Sequence, residues 1–198
     1  MTDLAVPGAV RVGAGRRWCR WMWIVWLLVS WGAEAGRGAP AGGDFSLRMA
    51  GGGRFELAQA RGRVVLIYFG FTRCPDVCPT GLATLRDALD LLGAGRGEVL
   101  PLFVAIDPER ETDQGLRDYT GAFHAALVPL TGRSAEVAAV ARAYGVRYRK
   151  VRIGGALGYT IDHTADLQVV GRDGRLARIL PHGTPAAAVA AAVAEALR

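Results

Sequence analysis

The stretch Val64-Val65-Leu66-Ile67-Tyr68-Phe69-Gly70-Phe71-Thr72-Arg73-Cys74-Pro75-Asp76-Val77-Cys78-Pro79-Thr80-Gly81 decides how the rest of the chain is read. Its first six residues are apolar, β-branched or aromatic without a break, the pattern of a strand buried on both faces. From Leu82 to Leu92 the apolar residues recur at helical spacing. Cys74 and Cys78, spaced C-x3-C between two prolines, therefore sit where a core strand hands over to a helix. Pro79 suits the first helical position, where a missing amide costs no hydrogen bond; that puts Cys78 at the N-cap and Cys74 on the turn before it. Unpaired amides and the dipole at a helix start favour thiolate over thiol, and a thiolate is both a nucleophile and a soft metal ligand. Two cysteines four apart across such a turn can lie within the roughly 4.4–6.8 Å Cα separation that a disulfide tolerates. The pair suits redox exchange, with a Cys74–Cys78 disulfide as its oxidised form, or metal binding.

Further along, strand and helix signals alternate. Phe45–Met49 and Arg54–Leu57 flank Gly51-Gly52-Gly53 as a small hairpin. After the cysteine turn and its helix, Gly93, Gly95 and Gly97 stop the helix, and Val99–Ile106 reads as a second buried strand. A helix over 113–123, a short strand at Leu127–Leu130 and a helix opened by Ser134 follow. Residues 146–159 read as an irregular, basic insertion before Thr160-Ile161-Asp162-His163-Thr164. Leu167–Val170 and 175–180 form a hairpin across Asp173-Gly174, and an alanine-rich helix over Thr184–Leu197 closes the chain. The order predicts an α/β domain over 44–198, a mixed central sheet flanked by helices in a thioredoxin-like arrangement.

Residues 1–35 stand apart. Arg16-Arg17 and Arg20 precede an apolar run from Trp21 to Val29, and Ala33 and Ala35 offer a small-x-small cleavage site. The run falls short of the roughly 20 residues that span a bilayer, so a cleaved signal peptide is the first reading and an uncleaved membrane anchor the second. Either way the domain is exported, and a bacterial periplasm is the expected compartment. Gly36–Gly43 is a Gly/Ala/Pro-rich tether. Much of the net charge of +6 comes from arginines before the apolar run, and no basic run is interleaved with aromatics, which argues against nucleic acid.

In an oxidising compartment a vicinal thiol pair is oxidised, metallated or kept reduced by a thiol reductant protein. A domain of this size needs no disulfide staple, and so short a loop would constrain the unfolded chain little. Three histidines are candidate third donors. His124 and His182 read as boundary and surface residues, whereas His163 precedes a strand expected beside the cysteine turn. Two thiolates and one imidazole form a soft three-donor set that suits Cu(I) and also holds Cu(II); structural zinc would want a fourth protein ligand. Asp162 either orients the His163 ring or caps a turn. A peroxidase would want T-x-x-C, and Thr72-Arg73-Cys74 is one residue short.

The blocks GFTRCPDVCPTGL, AIDPERET, FHAALVPLTG and GYTIDHT resemble, in order and spacing, the Sco/SenC copper chaperones, from about Phe45 to the last helix. The resemblance implies a thioredoxin-like fold that binds one copper ion through Cys74, Cys78 and His163. It further implies delivery of copper to the dinuclear site of a cytochrome c oxidase subunit, with thiol–disulfide reduction of that or another exported partner as the alternative. The arginine-rich 146–159 segment departs from better-known members and leaves partner choice open.

Overall fold

The computed structural model describes residues 41–155 and 158–198. The segment expected to be a signal or anchor, and the tether as far as residue 40, lie outside the described residues. Among the described residues no helix is long and apolar enough to cross a membrane.

The continuous apolar run forms β3 (Val64–Gly70), every residue of it buried. It pairs in parallel with β4 (Val99–Ala105) and antiparallel with β8 (Leu167–Val170). β4 continues in parallel to β5 (Val128–Thr131), and β5 takes the N-terminal hairpin of β1 (Ser46–Met49) and β2 (Arg54–Glu56). β9 (Leu176–Leu180) closes the other edge, giving the order β2-β1-β5-β4-β3-β8-β9. This is the expected mixed sheet with helices packed on it.

Alternate residues of β3 face opposite layers. Tyr68 stacks on Phe103, which meets Tyr119 of α2 (Asp113–Gly121). α1 (Val77–Leu91) comes so close on this side that a Cβ on Gly81 would lie 2.6 Å from the Tyr68 ring. Phe69, on the other side, meets Tyr144 just beyond α3 (Ser134–Ala143). α4 (Ala186–Leu197) packs beside α1, burying Val189 and Val193.

Three local expectations need correction, and one helix start is as expected. α1 begins at Val77 with Asp76 as N-cap, so Cys78 and Pro79 are its second and third residues. Proline is tolerated there because the whole first turn lacks intrahelical acceptors for its amides. α3 opens at Ser134 as expected, with Arg133 as its N-cap residue, whose N–H donates to Glu136 Oε2 at 2.8 Å. The tether's end is not free: Gly42 N–H donates to the Ala143 carbonyl and Tyr144 O–H to the Gly43 carbonyl. The segment expected to be irregular carries a strand, β6 (Tyr148–Arg152), which pairs antiparallel with β7 (Tyr159–His163) in a ladder separate from the main sheet.

Candidate metal centre

The cysteine turn and the end of β7 converge. The sulfurs of Cys74 and Cys78 and one ring nitrogen of His163 all lie within 4.8 Å of one another. Donors held at about 2.0–2.3 Å from one ion lie roughly 3–4.6 Å apart, so the spacing of these three is close to what one metal requires. Neither cysteine is in a disulfide. Cys78 is wholly buried, while Cys74 keeps 8% of its surface exposed.

Each donor is aimed by its surroundings. Cys78 Sγ lies 3.5 Å from His163 Nε2. On the far side of the ring, Nδ1 is 2.9 Å from the Thr164 carbonyl. A carbonyl can only accept, so Nδ1 carries a proton, and Nε2 is the ring nitrogen that faces the thiols. Phe71 packs edge-on against the imidazole, centroids 5.8 Å apart. Gly70 makes room: a Cβ there would sit 2.9 Å from Cys78 Sγ.

The thiols share a proton. The Cys78 thiol hydrogen-bonds to Cys74, and this bond, with help from His163 and the Asp76 and Cys78 amides and against the cost of burial, lowers the Cys74 pKa to about 4. The same bond and burial raise that of Cys78. The result is one thiolate and one thiol, joined by a hydrogen bond.

A loop that carries no donor ties both halves together. Glu111 accepts from the Thr72 amide and hydroxyl, each at 2.8 Å, two residues before Cys74. In the same loop, the buried Asp107 accepts from Arg110 Nε at 2.5 Å and from Tyr159 O–H at 2.7 Å. Arg110 also donates to the Tyr159 carbonyl at 2.8 Å and lies 3.5 Å over its ring. Tyr159 starts β7, the strand that ends at His163. Asp107, Arg110, Glu111 and Tyr159 were not singled out from sequence; an acid directly after an all-apolar strand was the available signal.

Asp162 does not orient the ring. Its carboxylate takes Arg149 Nε and a terminal nitrogen at 3.1 and 3.0 Å, on the face of β7 away from His163, because strand neighbours point opposite ways. The Thr164 carbonyl holds the ring instead. His124 and His182 stand apart from the centre, His124 accepting from the Ala126 amide through Nδ1 and His182 exposed.

A thioredoxin-like domain with a Cys, Cys, His cluster at the strand–helix turn is the class this geometry defines. The SCO1/SenC family matches residues 33–198, and the chain belongs to that family. It is 40% identical over 139 residues to the mitochondrial SCO1 homolog 1 of Arabidopsis thaliana, covering 70% of this chain and 41% of that protein. It is 37% identical over 159 residues to the human mitochondrial SCO1 homolog, covering 79% and 53%. The chain thus spans about half the length of these two relatives. Arabidopsis ScoI crystallised with copper bound superposes with a TM-score of 0.73 at 33% identity, over 79% of this chain and 98% of that one. Copper-bound ScoI of Bradyrhizobium japonicum gives 0.71 at 34%, over 78% and 98%.

Proposed function

We propose that the chain is a copper metallochaperone. Cys74, Cys78 and His163 hold one copper ion as cargo, and the protein delivers it to the dinuclear copper site of a cytochrome c oxidase subunit during assembly. The observation that carries this reading is the convergence of two sulfurs and an imidazole nitrogen within 4.8 Å. Soft thiolates suit Cu(I), and the imidazole lets the set hold Cu(II) as well. Copper-bound relatives of the same fold support the choice of metal. The N-terminal basic and apolar segment supports export, with the domain in the periplasm and that segment as signal or tether. Cu(I) titration against a competing chelator tests the reading. Absence of binding by the wild type overturns it, as does undiminished binding after His163→Ala combined with Cys74→Ser.

The paired thiols favour thiol–disulfide reduction as a second reading. Cys74, the sulfur with an exposed edge, attacks a partner disulfide to give a mixed disulfide; Cys78 then displaces the partner and forms the Cys74–Cys78 bond. Two electrons pass to the partner, and an exported thiol reductant restores the dithiol. This reading predicts exchange that survives His163→Ala and is lost with Cys74→Ser or Cys78→Ser.

A further inference from the structure

The charge of the folded domain is unevenly placed. Between Asp44 and Arg198 there are 19 basic and 16 acidic residues. Four of the basic residues, Arg147, Arg149, Lys150 and Arg152, and one of the acids, Asp162, fall within 146–163. The rest of the domain, with 15 basic and 15 acidic residues, is neutral. The positive field of this domain therefore belongs to one hairpin.

That hairpin also carries the imidazole donor. Tyr148 of β6 sits opposite His163 of β7, and Arg147 bonds through its backbone to Thr164. Arg147, Tyr148 and Arg149 line an open groove of about 270 Å³ that has His163 in its wall. Arg149 pairs with Asp162 and Lys150 with Glu109. Arg147 and Arg152 are exposed, and among the described residues neither has an ion-pair partner within 4.0 Å. Ile153, one of two large apolar side chains exposed among the described residues, follows Arg152 at the tip.

We infer that the β6–β7 hairpin is a docking surface for the acidic face of the protein that exchanges copper with the centre. The inference rests on the proposed chaperone function and adds the chemistry of the partner. Exposed charges near a contact steer encounter and set orientation more than they add to affinity. Here they steer an acidic surface onto the strand pair that ends in His163, which brings the partner's ligands to the site. A protein is the fitting occupant, because transfer needs donor atoms at the metal and a lipid surface supplies none.

The test uses the described domain together with the purified soluble copper-binding domain of the oxidase subunit from the same organism, both metal-free. Their association is measured by calorimetry at low and high salt, for the wild type and for Arg147→Glu with Arg152→Glu. The expected result is wild-type binding that weakens roughly tenfold between about 20 and 200 mM salt, as screening of exposed charges requires. The double variant binds at least about tenfold more weakly at low salt and loses most of the salt dependence. Its Cu(I) affinity stays at the wild-type value, because neither side chain is a donor. Equal binding by variant and wild type, or no wild-type association, overturns the docking surface even where copper is bound normally. Charge-dependent binding to phosphatidylglycerol vesicles with no effect on protein association overturns it in favour of a membrane. Failure of the chaperone reading shows elsewhere, as absent Cu(I) binding by the same wild-type preparation.

Discussion

Replacing Tyr159 by phenylalanine removes a single oxygen and leaves the ring under Arg110. The lost interaction is the 2.7 Å bond from Tyr159 O–H to the buried Asp107 carboxylate. A hydrogen bond to a charged acceptor contributes about 1.5–3 kcal/mol, and because Arg110 still satisfies Asp107, a loss near 1.5 kcal/mol is expected. For a domain of this size that lowers Tm by about 3–6 °C. The local effect is more informative. Tyr159 fixes the start of the strand that ends at His163, so weakening this contact raises the fraction of molecules whose imidazole is away from the thiols. Apparent copper affinity scales with the competent fraction, and about 1.4 kcal/mol is tenfold, so tenfold is about the largest loss this change can produce. Urea unfolding gives the stability, chelator competition the affinity, and hydrogen exchange the opening of β7 in the metal-free protein. A stability change under about 0.5 kcal/mol with unaltered exchange in β7 refutes the view that Asp107, Arg110 and Tyr159 hold the hairpin against the core.

Four more outcomes follow from the contacts described. Gly81→Ala drives a Cβ to 2.6 Å from a Tyr68 ring that is pinned by its O–H bond to the Val77 carbonyl, so the overpacking cost of about 1–3 kcal/mol outweighs the helix preference for alanine. Gly121→Ala, with nothing within 4 Å, gains up to about 1 kcal/mol; denaturant curves of the pair check the contrast. Glu111→Ala removes both bonds to Thr72 and speeds iodoacetamide modification of Cys74 in the reduced, metal-free protein, with mass spectrometry as readout. Arg48, with the Gly51 amide, holds the Asp113 carboxyl below its ordinary value of 3.8. The stabilisation is therefore present above that value and is lost as pH falls through the lower folded-state pKa. Asp113→Asn is less stable than wild type at pH 7, and the difference closes as the pH is taken below the ordinary carboxylate value; equal stability at neutral and acid pH refutes it.

The parts of the fold legible in the sequence were those whose signal is local. The unbroken apolar run of β3 and the glycines after α1 declare themselves, and the C-x3-C turn and His163 are recognisable by residue type. The β6–β7 pairing was hidden because the charged residues of Arg147-Tyr148-Arg149-Lys150-Val151-Arg152 fall on both faces of the strand and mask its period of two. Asp162 was misjudged for a related reason: adjacency in sequence suggested contact, whereas a strand turns neighbours apart. The Asp107–Arg110–Tyr159 contacts span about fifty residues and arise only when the loop after β4 meets β7, so no window along the chain contains them.

The separateness of the β6–β7 ladder has a consequence for how such a chain diversifies. Ile153 N–H closes the tip onto the Gly158 carbonyl at 3.1 Å, and neither strand shares a register with the seven-stranded sheet. Lengthening or replacing the tip therefore shifts no strand of that sheet and displaces neither sulfur. Lineages can rewrite the outward charges at Arg147 and Arg152 while the cysteine turn that grips the cargo is inherited unchanged.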